Sequence, residues 1–279
     1  MLSAMTTAPL ASSPHRPADY HMHTPLCKHA SGAPELYWQT ASAQGLQEIA
    51  FTDHAPDPTG YDAKYRMEPT QFDEYRRLIA PLQDGRTPPV LFGTEADFYP
   101  GVEPYLTDWL PRGKFDLVLG SVHYLGDWGF DDPNNRHKWN DVDIKGAWKA
   151  YMDLIVGLTA TRLFDVIGHF DLPKKFGHRL RDRDLKDMVQ PVLDRVMKAG
   201  LAIEINTAGW RKEVAEAYPS PLILSLACER GIPICFGSDA HEPEHVGYRF
   251  DDAVRLAREV GYTHSLMFRQ RKPESVPLP

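Results

Sequence analysis

Seven short apolar runs recur along this chain, and nearly every one ends in a histidine or a carboxylate. The runs are Ala18–Met22, Gln47–Phe51, Val90–Phe98, Phe115–Val122, Phe164–Ile167, Ala202–Ile205 and Pro233–Phe236. Segments of helical period lie between most of them: Ala33–Gln44, Val102–Leu110, Ile144–Thr161, Arg183–Ala199 and Pro219–Arg230. Ser220-Pro221 opens one of these helices, and Gly200 and Gly231 close two, as start and stop signals should. Strands alternating with helices of about 10–15 residues predict βαβ units and a parallel sheet. Seven of them in roughly 260 residues fit a closed (β/α) barrel better than an open sheet. Asp251–Glu259 adds one more helix and Ser265–Arg269 a final apolar strand.

The strand ends carry the chemistry. His21 and His23 close the first run as H-M-H, and His29 follows in the next loop. Side chains alternate along a strand, so residues two apart share a face and both imidazoles can reach one ion. The second run ends at Asp53-His54, the third carries Glu95 and Asp97, the fourth ends at His123, the fifth at His169 and Asp171, and the seventh at Asp239 and His241. In a parallel barrel the C-terminal strand ends converge on one face, where barrel enzymes place their sites. A lone histidine is usually just a hydrogen-bonded residue. Seven histidines and two acids arriving at one rim predict a multinuclear metal centre. Imidazole and carboxylate donors suit Zn, Fe, Mn or Co and disfavour Mg or Ca. Cys27 lies between ligands and reads as a buried bystander thiol.

Composition narrows the function classes. Of 279 residues, 31 are Lys or Arg and 38 Asp or Glu, for a net charge of −7. A nucleic-acid or membrane-surface binder needs a cationic footprint, which this balance lacks. The three cysteines, Cys27, Cys228 and Cys235, are scattered, as expected of a reduced cytoplasmic protein. No run approaches the roughly 18 apolar residues that span a membrane. Residues 1–17 lack a cationic start and an apolar core segment, so they read as a flexible extension rather than a secretion signal. No linker divides the rest of the chain, which gives one domain over 18–279. Homo-oligomerisation stays open.

The ordered strings H-M-H-T-P-L-C-K-H, F-T-D-H, G-T-E-A-D-F-Y-P, G-S-V-H-Y-L, G-H-F-D-L-P-K-K-F, E-I-N-T-A-G and G-S-D-A-H, spread over roughly 220 residues between Tyr20 and about Arg269, carry a family likeness. On them the chain resembles the polymerase-and-histidinol-phosphatase (PHP) metal-dependent hydrolases, specifically their monofunctional histidinol-phosphatase branch. The resemblance implies a distorted (β/α)7 barrel and three divalent ions (Zn, Fe or Mn) at the strand ends. One ion would take His21, His23, Glu95 and Asp239. A second would share Glu95 as a bridge with His123 and His169, and a third would take His29, His54 and His241. It further implies that a metal-bridging hydroxide attacks L-histidinol phosphate, releasing L-histidinol and inorganic phosphate in histidine biosynthesis.

Charge supports a phosphate substrate. Metal-bound histidines are neutral, so Glu95 and Asp239 alone leave the three ions strongly positive, and a phosphomonoester dianion is a natural guest. Paired metals can activate water and clamp a displacement at phosphorus. Arg211, in a loop where the family places an arginine, and Lys174, Lys175 and Arg66 are candidates to bind that phosphate. Asp53 and Asp171 adjoin ligands and either orient imidazoles or donate the leaving group's proton. Asp97 shares the inward face with Glu95 and could meet a substrate amine. The competing readings are a PHP-fold phosphoesterase acting on nucleotides or other small phosphomonoesters, an amidohydrolase, which would usually show a bridging lysine, and a non-catalytic metal-binding module, which should have lost ligands.

Overall fold

The computed structural model describes residues 16–279. Its strands are β1 (Ile49–Phe51), β2 (Val90–Asp97), β3 (Leu117–Ser121), β4 (Tyr124–Leu125), β5 (Trp128–Gly129), β6 (Val166–Ile167), β7 (Ala202–Asn206), β8 (Ile234–Gly237), β9 (His264–Arg269) and β10 (Lys272–Pro277). Its helices are α1 (Pro34–Gln44), α2 (Phe72–Ile79), α3 (Glu103–Gly113), α4 (Ile144–Thr161), α5 (Asp182–Ala199), α6 (Pro221–Glu229) and α7 (Phe250–Glu259). Six strands form one parallel sheet in the order β1-β2-β3-β6-β7-β8, which is the expected α/β class.

The expected first strand is an extended run that bonds to both edges of this sheet. Asp19 N–H donates to Glu48 O (2.9 Å) and Ala50 N–H to Asp19 O (2.8 Å) on the β1 side. Tyr20 N–H donates to Phe236 O (3.0 Å) and Ala240 N–H to His21 O (3.1 Å) on the β8 side. Because it divides its bonds between two neighbours, it makes isolated bridges rather than one regular ladder. The sheet therefore curls until β1 and β8 flank the same run.

Along β2, Leu91 packs in a small inner core, whereas Phe92 and Ala96 belong to the large core under the helices. The inner core also holds Tyr20, Ala50, Leu117, Leu119, Val166 and Ala202. The period of two thus keeps the base of the curl apolar and brings Glu95, four residues further on, to its top on the same face. The hairpin β9–β10 closes the base. Phe268 is 1% exposed and stands edge-on to Tyr20, with ring centroids 5.4 Å apart. Beside it the buried Glu48 carboxylate accepts from Tyr20 Oη (2.6 Å) and pairs with Arg269.

Three pieces depart from the sequence expectation. Helix α2 lies in what reads as a long loop; Glu68 and Gln71 make a reciprocal cap before it, and Tyr75 Oη donates to Phe51 O (2.8 Å). The hairpin β4–β5 and strand β10 were likewise unexpected, since two-residue strands and a Pro-containing edge carry little periodic signal. Of the supposed flexible extension, residues 1–15 lie outside the described residues. Arg16 is already anchored, its N–H donating to Gly45 O (3.1 Å) and its guanidinium reaching Gln44 and Asp251. No helix among the described residues is long and apolar enough to cross a membrane.

Candidate metal centre

Glu95, on the inner face of β2 and 1% exposed, is the hub. Its Oε2 lies 3.2 Å from His21 Nε2, 3.6 Å from His23 Nε2 and 3.1 Å from His54 Nδ1. Its Oε1 lies 3.0 Å from His169 Nε2 and 3.7 Å from His123 Nε2. Asp239 Oδ1 sits 3.4 Å from His23 Nε2 and 3.8 Å from His21 Nε2. The ring of His241 stacks on that of His23 at 4.1 Å and lies 4.4 Å from that of His29. The nine residues expected as ligands are therefore drawn together in one cluster. Within it the triplets His21–Glu95–His169, His21–His23–Asp239 and His23–His54–His241 each bring ligand atoms within 4.8 Å of one another.

These residues fit metal ions for a physical reason. His21 Nε2, both ring nitrogens of His23, His54 Nδ1, His241 Nε2 and Glu95 Oε2 are buried without a hydrogen-bond partner. One buried orphan polar atom costs about 1–3 kcal/mol, and so many at one point call for a shared cation. Several other ring nitrogens of the cluster are held. His21 Nδ1 lies 2.7 Å from Glu204 Oε1, His123 Nδ1 2.9 Å from Asp97 Oδ1, and His29 Nδ1 2.8 Å from Cys27 O. A partner at one nitrogen fixes the tautomer and aims the other at an ion.

Protonation tells the same story. Burial would raise Glu95, but the imidazoles of His21 and His54 hold it well below the usual carboxylate range. Burial likewise would lower His21, yet Glu204 and Glu95 push it well above its ordinary value. His23 rises to about 9 and His123 to about 10, burial being outweighed by Asp239 and Asp53 in one case and Asp97 in the other. Burial lowers His29, His54 and His241 instead, so the protons gather on His21, His23 and His123. Two members are also strained in the backbone: His169 has φ +25° and Asp239 φ +51°. Non-glycine residues persist there only when their surroundings hold them.

A cavity of about 430 Å³ opens over the cluster, and Arg211, Lys175, Lys212, Asp131 and Tyr218 help to line it. Arg211 donates from Nη2 to Ser238 O (2.9 Å) and Asp239 O (3.1 Å), while its buried Nη1 has no partner. Lys175 pairs with Asp131 at 3.0 Å.

Three expectations need correction, and one open alternative narrows. Lys174 is 2% exposed and spends its ammonium on Asp171, Glu216 and Ala217 O, away from this cavity. Arg66 is equally buried and braces Ala55 O, Asp62 and Asp97. Asp97, held by Arg66 and His123, is not free to meet a substrate amine. Asp53 and Asp171 are both fully buried; Asp53 accepts from Thr24 and the His54 N–H, Asp171 from the Ser220 N–H and Lys174. Both are braces rather than accessible proton donors. Glu204, Lys212, Asp131 and Tyr218 escaped the sequence reading. Glu204 stands in E-I-N-T-A-G, where the alternation from Asn206 could have turned it inward.

Comparison with known proteins places the chain. The PHP domain model matches residues 19–208, and a PHP-associated model matches 222–249. A probable histidinol-phosphatase of Deinococcus radiodurans is 49% identical over 257 residues, covering 91% of this chain and 97% of that one. The histidinol-phosphatase of Bacillus subtilis is 26% identical over 264 residues, with 84% and 96% covered. A solved histidinol phosphate phosphatase from Lactococcus lactis, complexed with Zn, L-histidinol and phosphate, superposes with a TM-score of 0.76 at 21% identity, covering 92% of this chain and 98% of that one.

Proposed function

This chain belongs to the PHP-domain family, and from that premise we propose that it is a metal-dependent phosphatase converting L-histidinol phosphate to L-histidinol and inorganic phosphate, a cytoplasmic step of histidine biosynthesis. The observation that carries the proposal is the ring of buried, partnerless ligand atoms around Glu95, in a chain 49% identical to a probable histidinol-phosphatase. Residues 18–279 act as one barrel domain of seven strands, the run 19–23 being the seventh. Its rim would hold three ions: His21, His23, Glu95 and Asp239 would take one; Glu95, His123 and His169 a second; His29, His54 and His241 a third. Zn, Fe or Mn suits these donors, with Zn favoured by the Lactococcus complex.

Such ions, when bound, supply an activated water and the positive charge that stabilises displacement at phosphorus. The protein supplies the rest. Arg211 Nη1 offers a charged donor to a phosphate oxygen, while its Nη2 bonds lock the guanidinium to the strand end that carries Asp239. Lys175 and Lys212 add positive charge at the same mouth. Glu95 keeps its charge because the surrounding imidazoles favour it.

The test is phosphate release measured over L-histidinol phosphate, other phosphomonoesters and mononucleotides. Histidinol phosphate should give the highest kcat/KM. A mononucleotide turned over far faster would replace the substrate and leave the metal centre standing.

A further inference from the structure

Strand β7 provides no expected ligand, yet at its middle sits Glu204, 1% exposed and directly behind the metal cluster. Its two oxygens face different parts of the centre. Oε1 lies 2.7 Å from His21 Nδ1. Oε2 accepts from the backbone N–H of His169 (3.0 Å) and from Asn206 Nδ2 (3.0 Å). His21 and His169 belong to different ions in the proposed ligand sets. One carboxylate therefore sets the ring of a ligand to the first ion and the backbone of a ligand to the second.

Two features show that the fold is built around this carboxylate. A Cβ at Gly237 would stand 1.8 Å from Glu204 Oε1 and 2.7 Å from His21 Cβ, so a bare glycine backbone leaves the room it occupies. His169 holds a φ of +25°, and the N–H of that strained residue ends on Oε2. A third link runs outward: Asn206 Oδ1 accepts from Ala208 N–H (2.9 Å) in the short helix 207–211 that carries Arg211.

We propose that Glu204 is a positioning residue that ties two metal positions together, so that its loss weakens the ions of His21 and of His169 jointly and spares the third. The inference rests on the ligand sets of the proposed function. The reasoning is one of donors and acceptors. His21 must donate from Nδ1 if Nε2 is to offer a lone pair to an ion. All of the other groups meeting Glu204, the His169 N–H and the Asn206 amide, are also donors. Only an acceptor at both oxygens satisfies them. In Glu204→Gln one end becomes an NH2 group. Facing His169 and Asn206, it sets donor against donor and frees the strained peptide. Facing His21, it drives the ring proton onto Nε2, the nitrogen meant for metal. The third set, His29, His54 and His241, has no bond to Glu204 among the described residues and should not respond.

The experiment is metal content per chain by elemental analysis, on purified holoenzyme equilibrated at a metal concentration that just saturates the unaltered protein. Glu204→Gln should lose two of three equivalents, through a fall of about ten- to a hundredfold in affinity at both positions. Gly237→Ala, which displaces the carboxylate without changing its chemistry, should show the same selective loss. Far-UV circular dichroism of the chelated proteins reports folding separately. Three retained equivalents, loss of one alone, or equal loss of all three in a folded variant overturns the proposal. If neither variant folds without metal while the unaltered protein does, Glu204 is a residue of the fold and the proposal is also overturned. Unaltered protein that binds no metal would instead defeat the functional reading itself.

Discussion

At the scale of single residues, the centre is a cluster of histidines and carboxylates in which His21 and His123 each have one ring nitrogen held by a carboxylate and the other turned to Glu95. Glu95→Gln keeps the shape but removes the negative charge that lets neighbouring cations approach, so turnover should fall at least about a hundredfold. Near-normal turnover at full metal loading would mean that Glu95 is not shared. His23 and His123, raised to about 9 and about 10, are charged at neutral pH in the metal-free protein. A divalent ion needs them neutral, so loading must expel protons. Metal affinity should therefore climb from neutral pH until these rings have titrated, and loading should acidify a weakly buffered solution; affinity indifferent to pH would contradict this. By linkage, the raised values stabilise the folded apoprotein fully below the ordinary imidazole pKa of about 6.5. That stabilisation is lost as pH rises through about 9 and about 10. Arg211→Ala should raise KM and weaken inhibition by inorganic phosphate in the same proportion, with kcat changed less. Unchanged kinetics would move the anion contact to Lys175 or Lys212. The clustering of the nine candidate ligands was legible because a strand end is a local feature that alternation reads directly. Lys174 and Arg66 misled for the opposite reason: a cation near a ligand in sequence shows nothing of the buried carboxylates, Asp171 and Glu216 or Asp62 and Asp97, that consume it in space.

At the scale of elements, helix bounds followed closely from periodicity and caps. Ile144–Thr161 agrees with the expectation at both ends, and Arg183–Ala199 differs by one residue at its start. What escaped were pieces whose identity is decided by tertiary contacts. Helix α2 has eight residues, too short to hold by propensity, and is fixed by Tyr75 and Ile79 packing into the core. The hairpin β9–β10 escaped in part because its outer strand, Lys272–Pro277, is mostly exposed and contains two prolines. Those prolines suit an edge that must not recruit another strand. Its inner strand does the packing. Phe268→Ala should cost about 3–5 kcal/mol in denaturant unfolding, with KM unchanged in the metal-loaded protein. A variant as stable as the parent would mean that the hairpin lies on the base without sealing it.

At the scale of the whole molecule, the chain separates support from chemistry along a single axis: an apolar base, a cluster of candidate ligands above it, and a mouth where Arg211, Lys175 and Lys212 stand among Asp62, Asp131, Asp132 and Glu242. Metal should be part of its stability as well as its activity, because ions that bind only the folded state stabilise it by mass action. Purified protein should carry close to three transition-metal equivalents, lose activity and melt at a lower temperature after strong chelation, and recover both with Zn, Mn or Fe. Full activity in a preparation shown to be metal-free would end the reading. The Phe268 seal at the base has a further consequence, for traffic. If the cavity over the cluster is the one route to its floor, substrate and both products share that opening. Phosphate held at the metal floor cannot depart past an alcohol still seated above it. Release should therefore be ordered, histidinol first and phosphate last, and steady-state product inhibition should be competitive for phosphate and noncompetitive for histidinol.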